Sequence, residues 1–209
     1  MTVVDRGVVS LDLVPAELVV PRLRVAGVIF AVVGAILGVV AALLIEVYVG
    51  AVLGSALVGT AAFAVVSGSR RRVWIDHGVV SRRGALRVRR VNVSDATRVE
   101  VVVRVARVSQ VLLRVGDSST DVTVGLAMYT ADGGRELQPV ALRSVADALA
   151  GSSLASSVSV SSLLVTQLRA EAREAGLMER PLFRSIGVVR ESGRAPATTL
   201  TDAEVAALS

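Results

Sequence analysis

Residues 25–66 read "VAGVIFAVVGAILGVVAALLIEVYVGAVLGSALVGTAAFAVV", and the only charge in that run is Glu46. Residues 25–45 are uncharged throughout and would span about 31 Å as a helix at roughly 1.5 Å per residue, close to a hydrocarbon core of about 30 Å. Residues 47–66 are long enough for a second crossing if the turn between them is tight. An acidic group at a membrane-helix centre costs about 2.5–3.5 kcal/mol. Glu46 is therefore expected at an interface, with Tyr48 beside it at headgroup depth and Gly50 easing the turn. The prediction is a two-helix transmembrane hairpin over residues 25–66.

Working outward, Arg22 and Arg24 precede the first apolar run and Arg70, Arg71 and Arg72 follow the second, while the connecting turn carries no basic residue. The positive-inside rule then predicts a two-pass protein of the plasma membrane with both termini in the cytoplasm. Residues 1–24 hold Asp5, Arg6, Asp12 and Glu17, and no small-residue cleavage pattern follows the apolar run, which reads as a retained anchor behind a cytoplasmic segment. Gly34 and Gly38, and again Gly50 and Gly54, have the spacing that lets helix backbones approach closely. They can pack the hairpin on itself, or serve a homo-oligomer or an integral membrane partner.

Composition agrees with an anchored chain. Hydrophobic residues make up 53% of the 209, aromatics only 3%, and all 23 basic residues are Arg. With no Cys there is no disulfide framework and no thiolate nucleophile. Residues 70–115 hold 12 Arg against Asp76, Asp95 and Glu100, so the positive charge is concentrated directly after the apolar region. A negatively charged surface nearby, such as an anionic leaflet, suits that placement.

From Val73 the hydrophobic period becomes two. Val99, Val101, Val103 and Val105 fall on one face with Arg98, Glu100 and Arg104 opposite, and Val122, Val124, Leu126 and Met128 repeat the pattern. These are half-buried antiparallel strands. In "ALRVRRVNV" the parity slips between Leu86 and Val88 on one side and Val91 and Val93 on the other, so a bulge or bend is expected to keep both halves on the core. The turns "DHG", "RRG", "SDAT", "GDSST" and "ADGG" divide the region into about seven short strands. In "PVALRSVADALAG", Pro139 and Gly151 bracket an amphipathic helix with Leu142, Val145, Ala146 and Leu149 on one stripe.

That order of elements, with "HGVVSR", "LRVRRVNV", "SDATRVEV", "VGLAMYTADGGREL" and "VALRSVADAL", resembles the small bacterial PH-like domains that actinobacteria often carry behind a two-helix membrane anchor. The resemblance covers residues 73–150; many relatives show Trp where this chain has Val93, shortly before Asp95. It implies a partly open antiparallel barrel or sandwich of two bent sheets capped by a C-terminal helix, hence a membrane-anchored α+β protein. Beyond it, the charge-free "GSSLASSVSVSS" of residues 151–162 reads as a Ser-rich linker. Residues 163–177 read as a helix with Leu164, Leu168, Ala172 and Ala175 on one side and Gly176 near its end. In the tail, 178–209, Thr201 and Glu204 form a capping box for a short helix over 201–208, and "LFRSIGVV" is ambiguous.

Candidate chemistry is sparse. His77, the only histidine, lies beside Asp76 in the "DHG" turn and reads as a turn residue; as an acid or base it would need a third group that nothing marks. No phosphate loop, paired-histidine motif or calcium-loop spacing occurs, so no cofactor, metal or small-molecule substrate is expected. Nucleic acid is disfavoured because Trp74 is the only large stacking residue of the basic region. The basic cluster Arg82, Arg83, Arg87, Arg89 and Arg90, with Arg70, Arg71 and Arg72, is either a solvated strand face with topology signals or a contact to anionic lipid. The resulting expectation is a non-enzymatic adaptor or accessory protein at the inner leaflet. The alternatives are a structural subunit of a larger membrane complex and, behind it, an enzyme using His77.

Overall fold

The computed structural model describes residues 8–14, 16–44, 46–69, 72–84, 87–131 and 133–209. They fall into two compact units, one of residues 1–13, 72–82 and 88–209, the other of residues 14–71 and 83–87.

The second unit contains the two apolar helices, α1 (Ala16–Leu44) and α2 (Val47–Ser69). Both are long and apolar enough to cross a membrane, over Leu23–Leu44 and Val47–Ser69. The first begins well before the apolar run and continues through Pro21. Glu46 lies at the turn between them, exposed, and its carbonyl accepts from the Gly50 N–H (3.1 Å). The smallest residues lie in the seam. A Cβ placed on Gly38 would come within 2.8 Å of the Gly54 Cα, and one on Gly34 within 2.9 Å of the Leu57 Cβ. At Gly50 the added carbon would collide with the backbone of Ala42. Only glycine lets these backbones come so close. Valine, leucine, isoleucine and phenylalanine face outward, Leu43 at 81% exposure and Phe30 at 69%.

In the first unit, seven strands follow one another as the alternation and turns predict: β2 (Arg72–Asp76), β3 (Val79–Arg83), β4 (Val88–Asn92), β5 (Arg98–Arg104), β6 (Ser109–Gly116), β7 (Asp121–Thr130) and β8 (Gly133–Glu136). Helix α3 (Pro139–Ala150) comes next, burying Leu142, Val145, Ala146 and Leu149. The turn from β2 to β3 is two residues, His77 and Gly78, both with positive φ (45° and 79°), the primed hairpin geometry that matches strand twist.

Two further strands complete the sheets. β1 (Val8–Ser10) pairs antiparallel with β2, Val9 opposite Ile75, giving a four-stranded sheet ordered β1-β2-β3-β4. β9 (Ala197–Thr199) pairs with β5, giving a five-stranded sheet ordered β8-β7-β6-β5-β9. The segment before the apolar helices is thus partly an edge strand of the β unit rather than a separate tail. The Leu11 N–H donates to the Val73 carbonyl (2.8 Å), the Val73 N–H donates to Asp12 Oδ1 (2.9 Å), and Leu11 is 1% exposed.

Residues 151–209 are part of the same core. The Ser-rich stretch is not a linker: α4 runs from Ala155 to Ala172 as one helix. Its serines have poor helix propensity, but Val160, Leu163, Leu164, Gln167 and Ala170 recur on one buried face, and packing outweighs propensity. Small side chains let α4 lie close to α3; Ser161 Oγ donates to the Ala146 carbonyl (2.9 Å). Ala172, expected on the buried stripe, is exposed, and the helix stops there because Glu174 adopts a left-handed conformation (φ 53°). The Glu174 N–H donates to the Glu171 carbonyl and the Ala175 N–H to the Ala170 carbonyl, so the closing turn belongs to Glu174 and not to Gly176. The ambiguous "LFRSIGVV" lies in α5 (Pro181–Glu191), and α6 (Asp202–Leu208) carries the expected Thr201/Glu204 capping box.

Two parity expectations change. Val88 is 42% exposed whereas Val91 and Val93 are buried, so no bend returns the start of β4 to the core; Leu86 lies outside the described residues. In β7 the register against β6 shifts, Val111 facing Ala127 and Leu112 facing Gly125, which leaves Leu126 as an extra residue. This bulge reverses the alternation, so Tyr129 turns inward in place of Met128.

Candidate functional site

The arginines of the predicted basic cluster follow one another along the segment from β3 to β4. Arg82 and Arg83 close β3, Arg87 lies in the following turn, and Arg89 and Arg90 lie on β4. Alternation puts Arg82 and Arg83, and again Arg89 and Arg90, on opposite faces of their own strand, and a turn joins the two strands. The Gly84 N–H donates to the Arg87 carbonyl (2.8 Å) across it. Arg83, Arg87, Arg89 and Arg90 are exposed and Arg82 is half-buried. Among the described residues none of the five pairs with a carboxylate. Arg72, also exposed, opens β2, and Arg70 and Arg71 lie outside the described residues. Val88 adds an exposed apolar side chain among these cations.

The helix-packing residues come together differently. Gly34, Gly38, Gly50 and Gly54 all face the opposite helix of the same hairpin. This is the contact that self-packing of the hairpin requires. His77 is 85% exposed at its side chain, and its Nδ1 lies 2.6 Å from Asp76 Oδ1 at the hairpin turn. No third polar side chain joins them among the described residues. Nor, among those residues, do three or more His, Asp or Glu gather in one place.

A buried polar cluster was not legible in the sequence. Glu136, whose side chain is 7% exposed, accepts from Tyr129 Oη at Oε1 (2.5 Å) and from Arg180 Nη1 at Oε2 (2.6 Å). Arg180 Nε also donates to the Ala175 carbonyl (3.0 Å), so this guanidinium ties β8 to the connection between α4 and α5. Burial first, and then the bond to Glu136, push the Tyr129 phenol above its ordinary range, which keeps it a neutral donor. Burial likewise raises the Glu171 carboxyl, with the charge of Glu136 adding to it. The bulge turns Tyr129 inward, and it is fixed by cross-strand register, which the alternation of the sequence does not contain.

Tyr129 also packs edge-on against Phe183 (centroids 5.1 Å apart, 84° between planes), and both line a cleft of about 550 Å³. The turn residues Ala106 and Arg107, the end of β7 and one side of α5 form its walls.

Compared with known proteins, the chain matches no protein-family model, no curated protein and no solved structure.

Proposed function

We propose that this chain is a non-enzymatic adaptor or accessory protein, anchored by a two-pass helical hairpin, that holds a PH-like β domain at the inner leaflet with both termini cytoplasmic. The observation that carries this reading is the place of the hairpin in the order of elements. The chain leaves the β unit just after β1 and returns at β2, and those two strands are hydrogen-bonded neighbours. In the order of the chain the helical pair is thus an insertion between two paired strands, which suits a hairpin that enters and leaves on the same side of a bilayer. The outward apolar side chains of α1 and α2 suit hydrocarbon as surroundings, because they would be costly in water.

The three peptide steps from Ser69 to Arg72 reach at most about 11 Å, which keeps the first strand of the domain close to the membrane interface. Each Arg near an anionic leaflet contributes about 1 kcal/mol of attraction. In a protein already anchored, that attraction orients the domain instead of recruiting it. Seven antiparallel strands followed by α3 suit the PH-like resemblance, to which β1, β9 and α4–α6 are additions.

Because the chain has no cysteine, single cysteines report topology cleanly. In intact cells an impermeant thiol reagent should label Tyr48→Cys and spare Ser209→Cys; the reverse pattern would sink the orientation. For the full chain in nanodiscs, amide exchange over residues 82–90 should slow when phosphatidylglycerol is added to phosphatidylcholine. Glutamine at Arg82, Arg83, Arg87, Arg89 and Arg90 should abolish that difference. Equal exchange in both lipids would remove the lipid contact from the proposal.

A further inference from the structure

We propose that the cleft along α5 is a docking groove for an acidic, extended segment of a protein partner. The argument begins with Gly187. It lies in the interior of an 11-residue helix, where glycine is unfavourable relative to alanine, and a Cβ added there meets nothing within 4 Å. No neighbour within the described chain requires the missing side chain. Glycine at such a place keeps the helix backbone open to close approach from outside.

Gly187 is also where two recesses meet. The cleft of about 550 Å³ has a neighbour of about 350 Å³, and the two share Met178, Phe183, Gly187 and Glu191. Two open recesses side by side along α5 suit a length of chain better than a compact small molecule. Their surface includes half-buried Phe183, backed by the buried ring of Tyr129, and Met178, 76% exposed. Aromatic residues, Met and Arg are the types enriched at protein interfaces.

Charge selects the occupant. Arg107 and Arg190 line the larger recess and Arg184 the smaller, against the single carboxylate of Glu191. None of these arginines pairs with a carboxylate among the described residues, whereas Arg180 close by is fully engaged with Glu136. Unpaired guanidinium groups flanking an apolar floor call for carboxylates on either side of an aliphatic or aromatic anchor.

The test uses the full chain in phosphatidylcholine nanodiscs, so that lipid contact by the β3–β4 arginines plays no part. A random-peptide display library is selected on these discs and the enriched peptides are synthesised. The expected peptides combine Asp or Glu with an apolar anchor and lose about tenfold or more in affinity when their carboxylates become amides. Gly187→Leu should cause a similar loss while its melting temperature stays equal or rises, because the added side chain projects into open space. Arg107→Gln with Arg190→Gln should remove the preference for acidic over amide peptides. Enrichment no greater than on empty discs, peptides without acidic bias, or binding indifferent to Gly187→Leu would each overturn the proposal. So would self-association in sedimentation that Gly187→Leu abolishes, since the groove would then hold a second copy of the chain.

Discussion

The two units bury opposite kinds of residue. In the helical hairpin the seam is made of glycine and the large apolar side chains point away, Leu44 at 79% exposure and Tyr48 at 79%. In the β unit Leu113, Leu126, Leu142, Leu149, Leu163 and Leu182 are fully buried, and arginines such as Arg89, Arg90 and Arg98 lie outside. Hydrophobic burial drives the second arrangement; in the bilayer proposed for the hairpin it would not drive the first, whose stability would then come from close backbone contact. One chain thus carries two packing rules, and each predicts its own response to substitution.

The largest effect is expected where burial does the holding. Leu113→Ala should destabilise the β unit by about 3 kcal/mol, read as a shift in its denaturation midpoint. Leu37→Ala, removing an outward side chain of α1 that is 53% exposed, should leave that midpoint unchanged. Equal effects would show that the two units do not follow separate rules.

In the hairpin the direction reverses, and added volume is what harms. Gly38→Leu would push against the Gly54 backbone and should cost about 2 kcal/mol of helix pairing. Gly59→Leu, on the same pair of helices but with open space around it, should cost nothing. Interhelical disulfide trapping between introduced cysteines distinguishes the two; loss of trapping in both would remove the seam as its explanation.

Smaller effects sharpen the β side. Glu174 closes α4 in a conformation that glycine adopts freely, so Glu174→Gly should stabilise the unit by about 0.5–1 kcal/mol. The smallest change depends on pH. Burial, then the neighbouring charge of Glu136, hold the Glu171 carboxyl above its ordinary value of 4.5, so the folded state binds that proton more tightly than the unfolded chain. This term supports the fold below the ordinary value and is lost as pH rises through the folded one. Glu171→Gln should therefore raise the melting temperature at neutral pH, with the gain vanishing in acid. A gain that persists undiminished below pH 4.5 would show that charge is not its source.

Much of this molecule was legible residue by residue. The uncharged runs around Glu46, the period of two through Val99, Val101 and Val103, and the Thr201/Glu204 box each report a local rule, and local rules survive without knowledge of neighbours. Legibility failed where a neighbour decides. Val9, Leu11 and Leu13 alternate as a strand should, but three residues of strand hold only when β2 lies beside them. The serines of α4 describe a linker by composition, and they become helix because α3 and the sheet supply a surface for Val160 and Leu164.

The candidate sites divide in the same way. That arginines gather after an apolar hairpin, and that glycines recur at helix-packing spacing, follows from the order of residues alone, since charge and side-chain volume are properties of each residue. That β1 and β2 flank the hairpin as paired strands, that Tyr129 turns inward to meet Glu136 and Arg180, and that Gly187 opens a groove between Arg107, Arg184 and Arg190 are matters of register and packing. Those depend on residues tens of positions apart meeting in space. Only the tertiary structure determines them.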